Sequence, residues 1–481
     1  MSDKKGYIKK EDRKTILLLC DDIRMNSGIA TMAREFVVGT AHRYNWVNLG
    51  AGINHPEVGK LMDLSGDVNK RAGIEDSSVR IIPNNGYGDA MMVRKLIDNF
   101  KPDAIYIFTD PRYWVWLFQI EREIRRNIPI FWLNIWDDYP APQYNEHYYD
   151  SVDLLMGISK QTVNINKLVL GEKADSKVIK YVPHGINHKT FFPIDENFED
   201  YTKFLEFRKN VFEGKDIDFV VFWNSRNIQR KRPADVIFSY SIFCDMIGKE
   251  AAAKTALVMH TTPVEQHGTD LNAVKEALCD EDINVFFSKD KLAPEQMNLL
   301  YNLADVVPLI TSNEGWGLSL TEAMMSGTMI IPNVTGGMQD QCRFVDENGE
   351  WYTPNPDVPS NHRGTYKEHG KWAMPVWPTN ISLAGSPATP YIFDDRCDPE
   401  DVAKAIKAVY DLSPEERKER GLAGREWAMS DEAMMTGEAM SQNIIVAMEE
   451  AFDKFKPRPI FEIIKNRPKV KRKVKHKLYN Y

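Results

Sequence analysis

Glu314 and Glu322 are the side chains in this sequence whose type and spacing point most directly to chemistry. Seven residues separate them, including Gly315 and Gly317. The apolar run before Glu314, residues 304–310, predicts a buried strand, and the residues after Gly317 predict a short apolar helix. A strand, a glycine-rich turn and a helix N-terminus together form an anion site. Carboxylates beside such a site would accept hydrogen bonds from hydroxyl groups of the sugar and of the ribose in a sugar nucleotide.

The backbone of this turn would supply N–H groups to a phosphate. The candidate residues are Gly315, Gly317, Leu318 and Ser319. Ser319 and Glu322 also match the S-x-x-E capping box, so a purely structural role for Glu322 is the alternative. Gly336 and Gly337 follow another predicted strand, where glycine permits close approach to a ligand, and a simple tight turn is the alternative.

A cluster of cations follows the predicted strand at residues 219–223. It contains Arg226, Arg230, Lys231 and Arg232. A leaving diphosphate gains negative charge as its bond to the sugar breaks, and fixed cations stabilise that charge. We interpret Arg226 and Lys231 as the diphosphate-binding pair, and Arg230 and Arg232 as part of a solvated basic turn.

Three features of the N-terminal half are further candidates. Gly28 follows a predicted strand and begins a helix, where a glycine lets the backbone approach a substrate, although tight-turn packing is the alternative. Asp137 and Asp138 follow a later strand, where polar capping is the alternative to a metal role. Residues 106–149 are dense in aromatic side chains, which stack on sugars or bases when they do not belong to the core.

These motifs together resemble retaining glycosyltransferases of family 4, which have the GT-B fold. The resemblance rests on the E-x7-E spacing of Glu314 and Glu322 and the R-x4-K spacing of Arg226 and Lys231, and it extends over about residues 14–450. It implies that Glu314 contacts the donor sugar, Glu322 the ribose, and the two cations the diphosphate. It also implies that the backbone near Gly336 and Gly337 lies beside the sugar, and that no metal or tightly bound cofactor is needed.

One position departs from the family pattern. Where many family members have a histidine before an aspartate, this chain has Trp136 followed by Asp137 and Asp138. The role of that histidine would then pass to an aspartate, and Asp137 is our candidate. The resemblance implies front-face transfer, in which the leaving phosphate accepts the proton of the incoming hydroxyl and no side-chain nucleophile acts.

The elements that position these residues alternate between apolar strands and helices in both halves of the 481-residue chain. This alternation predicts an α/β fold with two doubly wound parallel sheets. We expect an acceptor-side Rossmann-like domain at residues 1–195 and a nucleotide-sugar-binding domain at residues 196–430. A helix at residues 115–126 and a long loop or lid at residues 345–390 are also expected, and a crossing helix follows at residues 431–458.

Composition restricts the function further. The net charge of −8 and the pI of about 5.8 exclude bulk electrostatic binding of nucleic acid. Five scattered cysteines favour a reducing compartment, and a polar N-terminus without an apolar span favours a cytoplasmic protein. The basic tail at residues 459–481 carries eight cations between Lys465 and Lys477. Such a run indicates contact with a polyanion or an anionic membrane surface, with a solvated tail as the alternative.

The sequence therefore predicts transfer of a sugar from a nucleotide-diphosphate sugar, most simply a UDP- or GDP-sugar, to a hydroxyl acceptor with retention of configuration. Glycans, lipids, proteins and nucleic acids all remain open as acceptors, and the sequence does not specify an oligomeric state. The alternatives are a sugar-nucleotide epimerase of the same fold, a phosphorylase, and a non-catalytic protein that binds carbohydrate or nucleic acid.

Overall fold

The structure is a computed structural model that describes residues 6–459. The chain divides into two compact units. Within the described part, the first unit comprises residues 6–185, Pro354–Pro359 and residues 437–459, and the second comprises Ile186–Thr353 and Ser360–Thr436. The cationic run between Lys465 and Lys477 lies outside the described residues.

The first unit is built on an eight-stranded sheet. Its strands are mostly apolar runs, and those in the centre of the sheet are buried on both faces, as expected for a parallel sheet covered by helices. They are β1 (Lys14–Asp21), β2 (Tyr44–Ala51), β3 (Met62–Asp63), β4 (Val79–Pro83), β5 (Ala104–Phe108), β6 (Ile130–Asn134), β7 (Leu154–Gly157) and β8 (Val178–Tyr181). The spatial order is β3-β4-β2-β1-β5-β6-β7-β8, and β3 alone pairs antiparallel within this sheet.

Seven helices connect these strands. They are α1 (Gly28–Thr40), α2 (Ser65–Ala72), α3 (Ala90–Phe100), α4 (Val115–Gln119), α5 (Glu121–Ile124), α6 (Glu146–Asp150) and α7 (Lys160–Leu170). The predicted single helix at residues 115–126 is wrong, because the chain breaks at Ile120, whose φ of −109° and ψ of 12° are not helical. After the break, Glu121 is buried in an ion pair with Arg125, which also binds Asp153.

The second unit has a five-stranded parallel sheet in the order β11-β10-β9-β12-β13. Its strands are β9 (Phe219–Asn224), β10 (Thr255–His260), β11 (Asn284–Ser288), β12 (Val306–Leu309) and β13 (Met329–Pro332). Its helices are α8 (Tyr201–Val211), α9 (Pro233–Ile247), α10 (Lys249–Ala252), α11 (Leu271–Leu278), α12 (Pro294–Leu303), α13 (Leu318–Met325), α14 (Met338–Cys342), α15 (Pro399–Tyr410) and α16 (Pro414–Ala428). Residues 219–332 therefore alternate between strand and helix, as predicted.

Most of the segment expected to be a long loop at residues 345–390 is irregular, since residues 345–379 have only isolated bridges and one short 3-10 turn, but the expectation is wrong from residue 380, where a strand begins. Residues Ala373 and Val376 extend the sheet beside β13 through parallel bridges to Ile330 and Asn333. Two further strands, β14 (Asn380–Ser386) and β15 (Thr389–Arg396), form an antiparallel hairpin. Trp372, Ala373 and Val376 are almost inaccessible to solvent, so burial of these apolar side chains holds the irregular part of the segment against the sheet.

The last helix, α17 (Gly437–Lys454), belongs to the first unit, so the chain returns to that unit after completing the second. It packs on α1 and on β7 and β8. Of the helices in residues 6–459, none combines the length and the apolar composition that crossing a bilayer requires.

Each sheet has a point where successive connections run to opposite sides. In the first unit this point lies between β1 and β5, and in the second it lies between β9 and β12. Open α/β sheets bind ligands outside the carboxyl ends of the strands at such a point. The loop before Gly28 lies at the first switch point, and the loops carrying Lys231 and Glu314 lie at the second.

Candidate active site

The second switch point brings the central carboxylate and the cationic cluster together. Glu314 lies in the loop between β12 and α13, and Lys231 lies in the loop between β9 and α9. The ammonium of Lys231 forms an ion pair with Glu314 Oε2. Arg230 Nη1 lies 3.1 Å from the same oxygen and donates to the carbonyl of Asn313 at 2.8 Å. Residues 83 positions apart thus form one charged cluster, because β9 and β12 are neighbours in the sheet.

These cations determine the charge state of Glu314. Burial alone would raise the pKa of this carboxyl, but the charges of Lys231 and Arg230 outweigh that effect and lower the pKa to about 2. Only 14% of the Glu314 side chain and 12% of the Lys231 side chain are exposed, so solvent screens the pair weakly. Glu314 is consequently ionised at any pH near neutrality and can accept hydrogen bonds from hydroxyl groups.

Arg226, the other member of the predicted pair, is placed differently. Its guanidinium pairs with Glu265, and 64% of its side chain is exposed. Among the contacts of the described residues it does not touch Glu314. The structure therefore places Lys231, but not Arg226, in the charged cluster.

The interpretation of Arg230 and Arg232 as solvated residues is wrong. Arg230 contacts Glu314, and Arg232 donates from Nε to Ser312 Oγ at 2.6 Å and pairs with Asp394 at 2.8 Å. The reason is the turn into α9. Arg232 has a φ of +52° and is followed by Pro233 at the first helical position, which turns its side chain toward the neighbouring loop.

Glu322 lies in the second turn of α13 and not at its N-terminus. The helix begins at Leu318 with Gly317 in the N-cap position and has no side-chain cap. The capping-box alternative for Ser319 and Glu322 is therefore wrong, and Ser319 is instead a first-turn residue. Glu322 Oε2 accepts a hydrogen bond of 2.5 Å from the hydroxyl of Tyr301, a fully buried residue of α12.

The net shift in the pKa of Glu322 is opposite to that of Glu314. Desolvation raises the pKa of Glu322 to about 7, and the hydrogen bond from Tyr301 opposes this rise. Among residues 6–459, no cation lowers the pKa of Glu322 as Lys231 and Arg230 lower that of Glu314. Two glutamates eight positions apart thus have separate environments, one strongly ionised and one that titrates near neutrality.

The glycines of the site permit close contact between two loops. Gly337 donates from its N–H to the carbonyl of Glu314 at 2.9 Å, and a Cβ at Gly337 would lie 2.0 Å from the carbonyl oxygen of Gly315. Gly317 has a φ of +91° and Gly336 a φ of +54°, both in the left-handed region. The observed close approach is between protein loops, and it fixes the backbone on which Glu314 stands.

Several residues that support these loops could not be identified from the sequence. Thr335 donates to Asp395 at 2.7 Å, and the Asp395 N–H donates to Ser312 O at 2.9 Å. Asn333 donates to the carbonyl of Thr311 at 2.9 Å. The hairpin strand β15 thereby holds the loop before Glu314. The only sequence signal was the pair Asp394–Asp395 after the apolar run at residues 391–393, and the partners of this pair could not be read from the sequence.

At the switch point of the first unit, Gly28 is the exposed first residue of α1. Ser27 caps this helix by accepting from the N–H of Ala30 at 3.1 Å, and its hydroxyl donates to Asp21 Oδ2 at 2.9 Å. The hydroxyl of Tyr87 donates to Asp21 Oδ1 at 3.2 Å. Gly28 therefore lies beside a carboxylate and two hydroxyl groups at the end of β1.

Asp137 lies in the loop after β6 and is partly exposed. Its neighbour Asp138 is buried and accepts from the N–H of Tyr139 and from Gln161, each at 2.8 Å, which fits the capping interpretation for Asp138. Trp136 is buried and donates to the carbonyl of Asp138 at 2.7 Å. Within the described part of the chain, no cluster of three or more His, Cys, Asp or Glu side chains could hold a metal ion.

Comparison with solved structures identifies the fold. HepE of Anabaena, in complex with UDP and glucose, matches 91% of this chain and 100% of its own with a TM-score of 0.62 and 13% identity. A glycosyltransferase of Rickettsia africae matches 92% and 99% with a TM-score of 0.61 and 14% identity. Sucrose-phosphate synthase of Thermosynechococcus elongatus matches 92% and 100% with a TM-score of 0.60 and 15% identity. This likeness confirms the predicted α/β fold class, the GT-B fold with two Rossmann-like units.

Sequence comparison gives a shorter match. Mannosylfructose-phosphate synthase of Agrobacterium fabrum is 29% identical over 194 residues, which are 40% of this chain. The match spans 39% of the length of that relative. No family model matches the chain.

Proposed function

We propose that this protein is a retaining glycosyltransferase of the family 4 type that uses a nucleotide-diphosphate sugar as its donor. The observation that carries the proposal is the charged cluster of Glu314, Lys231 and Arg230 at a switch point, with Glu322 on the following helix. Its support from known proteins is the GT-B fold and the binding of UDP or UDP-glucose by HepE of Anabaena. A UDP-sugar is therefore the first donor to test, with a GDP-sugar second.

In the proposed complex, Glu314 accepts hydrogen bonds from hydroxyl groups of the donor sugar, and Glu322 accepts hydrogen bonds from hydroxyl groups of the ribose. The diphosphate binds Lys231 and Arg230, with Arg226 approaching from the more exposed side. An ammonium has three donors and a guanidinium five, so each cation can hold Glu314 and a phosphate oxygen at the same time. The first-turn N–H groups of Leu318 and Ser319 have no side-chain cap and suit a phosphate oxygen.

The proposed chemistry needs no nucleophilic side chain. The bond between the anomeric carbon and the diphosphate breaks, and the acceptor oxygen forms a bond to that carbon on the same face. The acceptor's proton passes to the departing phosphate oxygen. Lys231 and Arg230 stabilise the charge that collects on the diphosphate, and such preorganised charges contribute most in the transition state. Gly28 and Asp137, in the first unit, are proposed to serve the acceptor.

The proposal is tested by incubating the full chain with UDP-glucose, GDP-mannose and a panel of hydroxyl acceptors. We expect a new glycosidic linkage with the anomeric configuration of the donor, read from the anomeric coupling in the NMR spectrum. A product of inverted configuration would contradict the family 4 mechanism. Conversion of the donor sugar into its epimer without transfer would instead favour the epimerase alternative.

A further inference from the structure

Tyr301 is a buried side chain that the proposed reaction does not yet use. It lies in the last turn of α12 and is fully buried. Its ring meets Phe191 and Phe222 edge to face, at 5.8 and 5.1 Å between centroids. Thr328 donates to the Tyr301 carbonyl at 2.8 Å. The phenol is therefore held by packing on its ring and by a bond to its backbone, and its hydroxyl has little freedom to move.

The hydroxyl of Tyr301 joins two parts of the candidate site. It donates to Glu322 Oε2 at 2.5 Å and accepts from Asn224 Nδ2 at 3.0 Å. Asn224 is the last residue of β9, immediately before the loop that carries Lys231. The three side chains thus form a hydrogen-bonded chain that runs from the end of β9, through α12, to α13.

The direction of this chain follows from the groups in it. The Asn224 amide nitrogen can only donate, and an ionised carboxylate can only accept. The Tyr301 hydroxyl has a single proton, and that proton must point to Glu322 because the amide of Asn224 approaches a lone pair. Hydrogen bonds linked in this way polarise and strengthen one another.

The same geometry assigns separate roles to the two oxygens of Glu322. Among residues 6–459, Tyr301 is the only side chain that donates to this carboxylate, and it occupies Oε2. Arg425 of α16 also reaches α13, but it donates to the carbonyl groups of Met325 and Phe191. Oε1 therefore has no donor within the described protein and can accept one from a ligand.

We infer that Tyr301, oriented by Asn224, is a positioning residue that anchors one oxygen of Glu322 so that the other accepts a ribose hydroxyl of the donor. This inference rests on the proposed function, because it concerns the ribose of the same nucleotide. Tyr301 itself touches no substrate. It acts by holding the half-buried Glu322 carboxylate, ionised and in a single orientation, beside the position proposed for the ribose.

The test is Tyr301→Phe, which removes the hydroxyl and keeps the ring. The matched control is Tyr240→Phe, since Tyr240 is also fully buried in the second unit and its hydroxyl also hydrogen-bonds a side chain, that of Thr255 at 2.7 Å. Affinity for UDP-glucose and for GDP-mannose is measured by calorimetry between pH 5.5 and 9. The diphosphate of these donors is a diester and does not titrate in this range, unlike a terminal phosphate with a second pKa near 6.

We expect Tyr301→Phe to weaken binding of the preferred donor about tenfold, as loss of a hydrogen bond to a charged group typically does. We also expect the pH at which binding reaches half its maximum to rise. The Tyr301 hydrogen bond opposes the raised pKa of Glu322, so its loss moves that pKa higher and binding requires a higher pH. Tyr240→Phe should lower stability without changing either quantity.

Wild-type affinity and an unchanged pH midpoint in Tyr301→Phe would overturn the inference and leave the proposed function intact. Weaker binding with an unchanged midpoint would also overturn it, because the tyrosine would then matter only for packing. Failure of the wild-type protein to bind either donor, measured in the same series, would contradict the proposed function itself and this inference with it.

Discussion

At the scale of single residues, the two glutamates of the E-x7-E spacing differ more in environment than in position. Glu314 is held ionised by two cations, whereas Glu322 is held by a neutral hydroxyl. The first arrangement keeps a fixed negative charge beside cations that a diphosphate also needs. The second keeps a carboxylate close to its titration point. Function under the proposal therefore depends on pH mainly through Glu322.

We predict that Lys231→Ala lowers kcat about 10²-fold or more, the cost of removing one charge that stabilises a transition state. Arg226→Ala should cost less, since its side chain is 64% exposed and its charge is screened by water. Steady-state kinetics with a UDP-sugar checks both. The control is Lys254→Ala, because Lys254 immediately precedes β10 and so lies at the amino ends of the strands, opposite the site. Donor turnover at the wild-type rate in Lys231→Ala would mean that the diphosphate binds elsewhere.

We predict that Glu322→Gln weakens donor binding but stabilises the folded protein above pH 7. Folding raises the pKa of Glu322 from its ordinary value of 4.5 to about 7. The unfolded chain therefore loses its proton first, and the resulting penalty grows from pH 4.5 to pH 7 and then stays constant. The glutamine side chain of the variant cannot ionise and so avoids this penalty. Glu322→Gln should therefore raise the free energy of unfolding by on the order of 1–3 kcal/mol at pH 8 and by almost nothing at pH 4.

Chemical denaturation of Glu322→Gln at pH 4 and pH 8 checks this prediction, with the exposed Glu276→Gln as the control. A variant that is less stable at pH 8 and binds UDP-sugar normally would show that Glu322 serves only the structure of α13. Stabilisation together with weaker binding is the pattern of a residue retained for function at the expense of stability.

The types of these residues could be predicted from the sequence, but their contacts could not. Glu314 and Lys231 were assigned to one site through the family resemblance, while their ion pair depends on β9 and β12 being neighbours. Tyr301 gave no signal, because an aromatic residue in an amphipathic helix is indistinguishable from any core residue until its hydroxyl partners are known.

At the scale of secondary structure, the strands that carry the site are the most predictable elements. Residues 306–310 and 329–332 are short apolar runs bounded by polar residues, and the strands within them, β12 and β13, are buried and parallel. Strand β2 was missed because two asparagines interrupt its apolar pattern. One of them, Asn48, is buried and its amide nitrogen donates to the Leu18 carbonyl at 3.2 Å, so a polar residue occupies a core position.

The packing of two loops at Gly337 gives a prediction at this scale. Gly337→Ala would place a Cβ 2.0 Å from the Gly315 carbonyl oxygen. Because this oxygen belongs to the backbone, the clash can be relieved only if the backbone moves. We expect a lower melting temperature and loss of UDP-sugar binding, since the displaced backbone carries Glu314. Gly66→Ala, in α2 with no atom within 4 Å of the new Cβ, should leave both unchanged. Normal binding by Gly337→Ala would show that the position of Glu314 tolerates this displacement.

At the scale of the whole molecule, the chain builds each unit around its own switch point. The first unit presents Gly28 and Asp21 at the end of β1, and the second presents the charged cluster after β9 and β12. The number of units and the parallel sheets followed from chain length and from the alternation of strands and helices. Strand β14 did not, because the proline-, glycine- and aromatic-rich composition of residues 345–390 is typical of loops.

The most direct test of the central claim is binding of nucleotide sugars to the full chain, compared with Lys231→Ala and Glu314→Gln. A thermal-shift screen of UDP-, GDP-, ADP- and TDP-sugars, followed by calorimetry on the best of them, measures it. We predict that the wild-type protein binds at least one of these donors and that both variants bind it at least tenfold more weakly, which corresponds to about 1.4 kcal/mol or more. Absence of binding to every donor, or equal binding by the wild-type protein and both variants, would contradict it.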